Sequence, residues 1–283
     1  MEPIDRLSSL LERFRVHAHL FHSGPLCGLT RFEAKPGRGF LHVLRRGEMV
    51  VTHAAGAGAD DRIALDEPTL LFYPRAFEHV FENPPEDGPD FVCATLDFEG
   101  GAAHPLAHAL PDVLIVPLRA IDGLDRTLDL LFAESERVRC GQRLLADRLF
   151  EVLLLQLLRW LLDHPQACAL PTGVITGLAH PKLARVLTAL HERPGQAWTL
   201  PAMAQTAGMS RSAFAACFRQ HVGQSPVEYL QHWRITIAQN MLINGHSIKA
   251  ASLPLGFSSA ASLSRAFTQV VGVAPRSWLQ SLA

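Results

Sequence analysis

The stretch LPAMAQTAGMSRSAFAACFRQHVGQSPVEYL, residues 200–230, shares its design with SIKAASLPLGFSSAASLSRAFTQVVGVAPRSWL, residues 247–279. Both contain an Ala-rich segment, a Gly turn, a segment that begins with Ser, and then Phe-x-x-x-x-Gly-x-x-Pro. The serines, Ser210 and Ser259, are placed to cap a helix, and the glycines permit a tight turn. The repeat predicts two helix–turn–helix units, an arrangement typical of DNA-binding proteins.

The second helix of each unit is expected to supply the contacts with DNA. In the first unit, Phe214 and Phe218 are one turn apart and are expected to face the core. The outward residues, and therefore the expected contacts, are Arg211, Ser212, Ala215, Ala216 and Arg219. In the second unit, Leu263 and Phe267 take the inward positions, and the expected contacts are Ala260, Ala261, Ser264 and Arg265. A long helix from Pro226 to Asn244 is predicted to join the units.

Four of the outward residues are alanines. Alanine touches thymine methyl groups but makes no bidentate hydrogen bond to a base. We therefore expect phosphate contacts and DNA shape to carry much of the recognition, with Arg211 and Arg265 as its main polar contributors. The alternative for each arginine is a solvated surface charge. Pro254 lies late in the first helix of the second unit and is expected to disturb it.

Charge divides the chain in the same way. From His180 onward there are nine Lys and Arg against two acidic residues, a net charge of +7. The preceding residues hold 17 basic and 25 acidic residues, a net charge of −8. A basic module suits a polyanion and an acidic one is repelled by it, which favours a DNA-binding module attached to a separate regulatory module.

The chain as a whole predicts an α+β fold, in which an all-α second half follows a first half made of a β-barrel or sandwich and two helices. Short apolar runs between turn signals give the strands, with no helices between them: 26–32, 39–43, 48–52, 70–73, 78–81 and 91–97. Helices are predicted at 122–140 and 142–164, and the excess leucines of the second favour a helix-mediated homodimer. The predicted domains are 1–167 for sensing and dimerisation, 168–179 as linker and 180–283 for DNA binding.

The first fourteen residues, MEPIDRLSSLLERF, carry acids and predict an amphipathic helix rather than an export signal. The longest apolar run, 152–162, is too short to cross a bilayer. These features predict a cytoplasmic protein that does not engage the membrane. The five cysteines are then expected to be free thiols, metal ligands or redox sensors rather than structural disulfides.

The double unit, together with WRITIAQNML and GFSSAASLSRAF, resembles the C-terminal domain of AraC/XylS transcription regulators. That resemblance implies binding to double-stranded operator DNA, contact with RNA polymerase if the protein is an activator, and DNA contacts from Arg211 and Arg265. The first half, with GPLCG and FVCATLDF, is similar to the cupin-type sensor domain of the reactive-chlorine-responsive subgroup. Residues 74–83 resemble the second cupin motif, with Ala76 where that family has Gly; the first motif is poorly met, with only His42 available.

The subgroup resemblance draws attention to Cys27, His42, His79 and Cys93, all within or next to predicted strands. Two Cys and two His from different strands of a barrel could form a tetrahedral zinc site. Cys27 and Cys93 could instead be a redox pair, oxidised to a disulfide or to a sulfenic acid. The third interpretation is that the thiols are small buried side chains and the histidines are hydrogen-bonded in the core.

Two further classes of function remain open. One is a cupin-type metal-dependent enzyme fused to a DNA-binding tail; the incomplete first motif argues against it, so we expect no enzymatic activity. The other is a regulator whose barrel binds an organic ligand without metal or redox chemistry. Histidines 17, 19, 22, 104 and 108 also lie in short clusters, and most of them are expected at the surface.

Overall fold

The structure, a computed structural model, describes residues 4–54, 60–84, 86–136 and 138–282. Its first half is built of β-sheets and its second half of helices, which confirms the α+β class. The contacts divide the described chain into two compact units. The sheet unit comprises residues 15–102 and 106–171, and the helical unit comprises residues 4–14, 103–105 and 172–282. No helix of the described residues is long and apolar enough to span a membrane.

The sheet unit contains nine described strands in two antiparallel sheets. The strands are β1 Val16–Pro25, β2 Leu29–Phe32, β3 Arg38–Arg46, β4 Met49–His53, β5 Arg62–Leu65, β6 Thr69–Tyr73, β7 His79–Glu82, β8 Asp90–Phe98 and β9 Leu114–Pro117. One sheet has the order β1-β8-β3-β6-β9, and the other β2-β7-β4-β5. Within the described strands no pairing joins the two sheets, so closure into a barrel stays a prediction.

One buried cluster draws side chains from both sheets and forms the core between them. Phe40, Tyr73 and Phe91 come from the five-stranded sheet, and Phe32 and Phe81 come from the four-stranded sheet. The rings of Phe32 and Phe81 lie 4.8 Å apart, and those of Phe81 and Phe91 5.4 Å apart. Aromatic burial on both inner faces therefore holds the sheets together.

Three strands, β1, β5 and β9, were not predicted. Each is the last strand at an edge of its sheet. Edge strands bury fewer side chains, and in β1 the residues from His19 onward are half-buried or exposed. The apolar alternation that identifies a strand is therefore weak there.

Two 3₁₀ turns and three α-helices complete the sheet unit. Besides two 3₁₀ turns, the helices are α2 Pro105–Ala109, α3 Leu124–Ser135 and α4 Gln142–Asp163; α2 begins at the boundary between the units. Helix α4 packs against α3 and β1. Its Asp147 accepts a hydrogen bond of 2.7 Å from the Leu20 N–H, next to the irregularity between Leu20 and His22 in the β1–β8 register.

The helical unit includes residues near the N-terminus. Its helices are α1 Ser8–Leu11, α5 Val174–Ala179, α6 Pro181–Glu192, α7 Leu200–Thr206, α8 Arg211–Val222, α9 Pro226–Ile243, α10 Ile248–Ser252, α11 Ala260–Val271 and α12 Pro275–Gln280. The Asn240 side chain donates to the Arg13 carbonyl at 3.0 Å, and the Phe14 ring lies 5.2 Å from Trp233. The predicted N-terminal helix is thus confined to Ser8–Leu11, and Met1–Pro3 lie outside the described residues.

The segment predicted as linker, 168–179, is partly helical. Helix α5 buries Val174, Ile175 and Leu178. A Cβ on Gly177 would lie 2.7 Å from Leu187 and 2.8 Å from Val222, so glycine permits the close packing of α5. Gly177 therefore serves packing in a segment that was predicted to be a linker. The domain boundaries as a whole stay a prediction.

His104 corrects another expectation. It was expected at the surface, yet it is fully buried, and its Nε2 lies 3.1 Å from the Phe14 carbonyl oxygen. The short motif around it gave no sign of this contact, because Phe14 is far away in sequence.

Pro254 has the effect expected of it. Helix α10 ends at Ser252, two residues before Pro254, and proline has no N–H with which to continue the helical hydrogen bonds. A Cβ on Gly195 would lie within 2.2 Å of the Pro254 carbonyl oxygen. The turn of the second unit therefore packs directly on the loop after α6.

Arg234 stabilises this loop. Its Nε donates to the Pro194 carbonyl at 2.7 Å and its Nη2 to the Gln196 carbonyl at 2.9 Å. Its guanidinium also lies 5.8 Å from the centre of the Phe257 ring. The residue therefore ties the loop after α6 to the second helix–turn–helix unit.

Replacing Arg234 with Ala should destabilise the helical unit. Hydrogen bonds from a charged donor contribute about 1.5–3 kcal/mol each, so we expect the free energy of unfolding to fall by about 2–3 kcal/mol. Urea unfolding followed by circular dichroism at 222 nm measures it. Arg276→Ala, at an exposed position of α12, is the matched control; equal midpoints for the two variants would contradict a structural role for Arg234.

Candidate DNA-binding surface and sensor cleft

The first predicted recognition helix is α8. The Ser210 hydroxyl accepts a hydrogen bond from the Ala213 N–H at 3.3 Å and caps it. Phe214 and Phe218 are fully buried, so the spacing argument holds. Of the expected contacts, Arg211, Ser212, Ala216 and Arg219 are exposed and Ala215 is half-buried. Helix α7 packs against α8, as the two helices of a unit should.

The second recognition helix, α11, has the same construction. Ser259 and Ser262 form a capping box at its start, and Leu263 and Phe267 are buried. Ala261 and Arg265 are exposed, and Ala260 and Ser264 are half-buried. Each predicted contact therefore has access to solvent, and contact with DNA itself stays a prediction.

The two arginines do not occupy equivalent positions. When the exit turns of the repeats are aligned, Gly223 with Gly272, Arg211 corresponds to Ala260 and Arg265 corresponds to Ala216. Both glycines have positive φ, 84° and 87°, which supports this alignment. Helix α8 thus presents Arg211 at its start and Arg219 in its last turn, whereas α11 presents Arg265 in its middle.

In the sheet unit, the structure brings His42 and His79 together. Their Nε2 atoms are 3.0 Å apart, and both side chains are buried. His79 Nδ1 lies 3.0 Å from the Phe77 carbonyl oxygen, so it carries the proton and leaves Nε2 as an acceptor. His42 then donates from Nε2, which leaves its Nδ1 without a partner among the described residues.

Both histidines are neutral at pH 7. Burial, followed by the neighbouring His79 and His22, lowers the pKa of His42 well below its usual value. Burial lowers the pKa of His79 to about 3, against a smaller opposing effect of the Phe77 carbonyl. Neutral imidazoles are the form that binds metals.

The two cysteines have different surroundings. Cys93 lies opposite His42 in the β3–β8 register and opposite His22 in the β1–β8 register. Residues directly opposite each other share a face of the sheet, so Cys93 belongs to a row with His22 and His42. Cys93 is fully buried, and burial raises the pKa of its thiol.

Cys27 lies apart from that row. It is exposed and sits between β1 and β2 rather than on a strand, which corrects the predicted strand 26–32. The Cys27 Sγ is near Gly88, which precedes β8. Cys93 is three residues into β8, so it lies about 10 Å along the extended chain from the start of that strand. A disulfide needs Cα atoms within about 7 Å, so this arrangement does not place the two thiols for direct pairing.

The donor set only partly fits zinc. Two imidazole nitrogens 3.0 Å apart are close to the edge of about 3.3 Å that zinc–nitrogen bonds of about 2.0–2.1 Å produce in a tetrahedron. Among the described residues, however, no group of three or more His, Cys, Asp or Glu is arranged to hold a metal ion. The predicted four-ligand site is therefore not assembled here. His22, which faces the same row, is the neighbour that sequence spacing missed.

A cleft opens beside the histidine pair. Its volume is about 290 Å³, and it is lined by Phe21, Arg31, Phe32, Glu33, Lys35, Arg38, Phe40 and Thr95. The rings of Phe32 and Phe40 also contact His42, with centroids 4.8 and 5.7 Å away. The floor is thus aromatic and continuous with the histidine pair, and three basic side chains stand at the rim.

The rim charges are unequally neutralised. Arg31 pairs with Glu78 at 3.1 Å, and Arg38 pairs with Asp97 at 2.8 Å. Within the described chain no ion pair engages Lys35, which is exposed. Lys35 is therefore the cation most available to a bound anion.

Comparison with known proteins agrees with this architecture. A cupin family model matches residues 5–163, and a helix-turn-helix domain model matches residues 203–281. An AraC-like transcription regulator of Streptomyces lividans is 40% identical over 97% of both chains. One from Streptomyces antibioticus is 35% identical over 60% of this chain and 56% of its own. The RCS-specific activator RclR of Escherichia coli K12 is 26% identical over 84% of this chain and 85% of its own.

A cupin half joined to a helix-turn-helix half defines a transcription regulator that binds DNA. The chain belongs to the AraC-like family of such regulators. The prediction of a DNA-binding transcription regulator is thereby confirmed, and so is the cupin-type first half.

Proposed function

We propose that this regulator responds to a small organic anion with an aromatic or aliphatic body, bound in the cleft of the sheet unit. The carrying observation is the combination of an aromatic floor, from Phe21, Phe32 and Phe40, with basic residues at the rim. Ligand sites combine apolar walls with a few placed polar groups. The free ammonium of Lys35 supplies the charge that selects an anion.

Binding can be measured by calorimetry with benzoate, salicylate and octanoate as probes. We expect at least one of them to bind, and Lys35→Gln to weaken it about tenfold, since one charge-assisted bond contributes on the order of 1.5 kcal/mol. Arg46→Gln, at the end of β3 and outside the cleft, is the control. Absence of binding by all three probes, or equal affinities for the two variants, would remove the proposal.

Zinc is the second candidate signal, favoured by the 3.0 Å approach of His42 and His79. It would use the two Nε2 atoms, with Cys93 as the neighbouring thiol. We expect protein purified under reducing conditions to contain zinc, and His79→Phe to lose it while staying folded, because its ring stacks between Tyr73 and Phe32. A wild-type preparation free of zinc would exclude this candidate.

Oxidant sensing through Cys27 and Cys93 is a third proposal, supported by the likeness to RclR and by the exposure of Cys27. Membership of the reactive-chlorine-responsive subgroup is part of that proposal. If Cys27→Ser and Cys93→Ser left the response to hypochlorous acid unchanged, it would be wrong. Contact with RNA polymerase, in an activator, and the absence of enzymatic activity also remain proposals.

We further propose that the protein acts as a homodimer through α4. Leu145, Arg148, Val152 and Leu155 follow the three–four spacing of a coiled-coil seam. Leu145 is 49% exposed, Val152 40% and Leu155 37%. A row of three exposed apolar residues and one arginine at this spacing on a 22-residue helix suits a second copy of the same helix.

A further inference from the structure

A cluster of Cys217, His180 and His221 lies in the helical unit, away from the sensor cleft. Cys217 and His221 are one turn apart on α8, and His180 is the N-cap of α6. The Cys217 Sγ lies 3.7 Å from His180 Nε2 and 3.7 Å from His221 Nδ1. The two imidazole rings are 4.7 Å apart. Three chemically active side chains therefore meet around one half-buried sulfur.

Local hydrogen bonds fix which nitrogens carry protons. His180 Nδ1 accepts from the Leu183 N–H at 3.3 Å, so the proton of the neutral ring is on Nε2, the atom that faces the sulfur. His221 Nδ1 lies 2.9 Å from the Cys217 carbonyl oxygen, so it is a donor as well. The His180 N–H therefore points toward the Cys217 sulfur, whereas the His221 Nδ1–H is donated to the Cys217 carbonyl oxygen.

A donor aimed at the sulfur favours its negatively charged forms. Hydrogen bonds to a charged form stabilise it, and both a thiolate and a sulfenate accept such bonds. Lys182 adds a positive charge nearby, while partial burial acts more strongly in the other direction and raises the pKa of the thiol. The same partial burial admits a small oxidant more readily than a bulky electrophile.

We propose that Cys217 is a peroxide-sensitive thiol whose oxidation to a sulfenic acid weakens DNA binding by the first helix–turn–helix unit. The sulfur attacks one oxygen of a hydroperoxide, an S–O bond forms and the O–O bond breaks. The sulfur is oxidised by two electrons, the hydroperoxide is reduced to an alcohol or water, and the thiol proton ends on the departing oxygen. The new oxygen accepts the N–H group of His180.

The position of the cluster links this chemistry to DNA. On the helix, Cys217 lies on the side of α8 opposite Ser212, one of the outward residues. An added oxygen between the sulfur and His180 would push α8 away from the start of α6, which His180 caps. The recognition helix would then be displaced from the geometry that its neighbours hold.

The test treats the full-length protein with hydrogen peroxide and traps sulfenic acids with dimedone for mass spectrometry. We expect Cys217 to be labelled at least fivefold faster than Cys140, an exposed cysteine outside this unit. In His180→Asn, which keeps an N-capping side chain but removes the imidazole donor, Cys217 labelling should fall about fivefold while Cys140 is unaffected. Equal labelling of the two cysteines in the wild type would overturn the proposal.

The DNA readout uses a duplex that the wild-type protein selects from random sequence. Peroxide should weaken wild-type binding about tenfold and leave Cys217→Ser unaffected. Equal loss in both proteins would place the sensitive thiol elsewhere, and labelling without any loss of affinity would show that Cys217 has no regulatory effect. Either outcome contradicts the proposal.

Discussion

Replacing one arginine on each recognition helix, Arg211→Ala with Arg265→Ala, should lower affinity for the preferred DNA site about 100-fold or more. Both side chains are exposed, each on a different capped helix. An arginine that contacts a base contributes about 1–3 kcal/mol, or roughly ten- to a hundredfold in affinity. The surrounding alanines offer no polar replacement. Fluorescence anisotropy with the selected duplex measures the loss.

The salt dependence separates the two ways in which these arginines can act. If an arginine neutralises a phosphate, its removal lowers the slope of log affinity against log salt by about one. If it contacts a base, the slope changes little and discrimination at one position is lost. Arg185→Ala, on the exposed face of α6, is the matched control. An equal loss in that variant would show that only total charge matters.

The second large effect is expected from Val152→Glu on α4. If α4 pairs with a second copy, this substitution places a carboxylate in an apolar seam, where an unpaired charge is costly. We expect a monomer by analytical ultracentrifugation at concentrations where the wild type is a dimer. Affinity for DNA that carries two copies of the site should then fall by at least tenfold. The reason is that a monomer bound at one site no longer raises the effective concentration of a second protein chain at the other site.

Val138→Glu serves as the control for Val152→Glu. Val138 is 96% exposed and precedes α4, so the same charge is added outside the seam. A wild-type protein that is already monomeric would contradict the proposed dimer. So would a Val152→Glu variant that remains dimeric.

The helical unit could be predicted in detail from the sequence, because its signals are local. The structure has each feature that these short-range signals predict: the cap at Ser210, the turn at Gly223, and the burial of Phe214 and Phe218. The role of Arg234 has no such local signal, since its partners, the Pro194 and Gln196 carbonyls, lie 38 or more residues away in sequence.

The sensor could be predicted only in part. The subgroup resemblance pointed to His42 and His79, which the fold brings together, and to Cys27, which it leaves outside. Which residues face one another depends on strand register and on the packing of two sheets, and neither is encoded in local spacing. The row of His22, Cys93 and His42 follows from the pairing of β1 with β8 and of β8 with β3, and β1 was not predicted.

The unequal positions of Arg211 and Arg265 have a consequence for the operator. Since α8 carries its exposed arginines at other turns than α11 does, the two helices of one chain should prefer different half-sites. A single chain would then bind a non-palindromic site and fix its orientation on the DNA. This expectation follows from the aligned repeats alone.

Selection of binding sites from random DNA by the full-length protein, followed by footprinting, tests the central claim most directly. Two recognition helices in one chain should enrich a site with two different half-sites, centred about 10 base pairs apart and protected on one face of the duplex. Enrichment of no sequence, or of a single half-site protected over one groove, would contradict the double helix–turn–helix account.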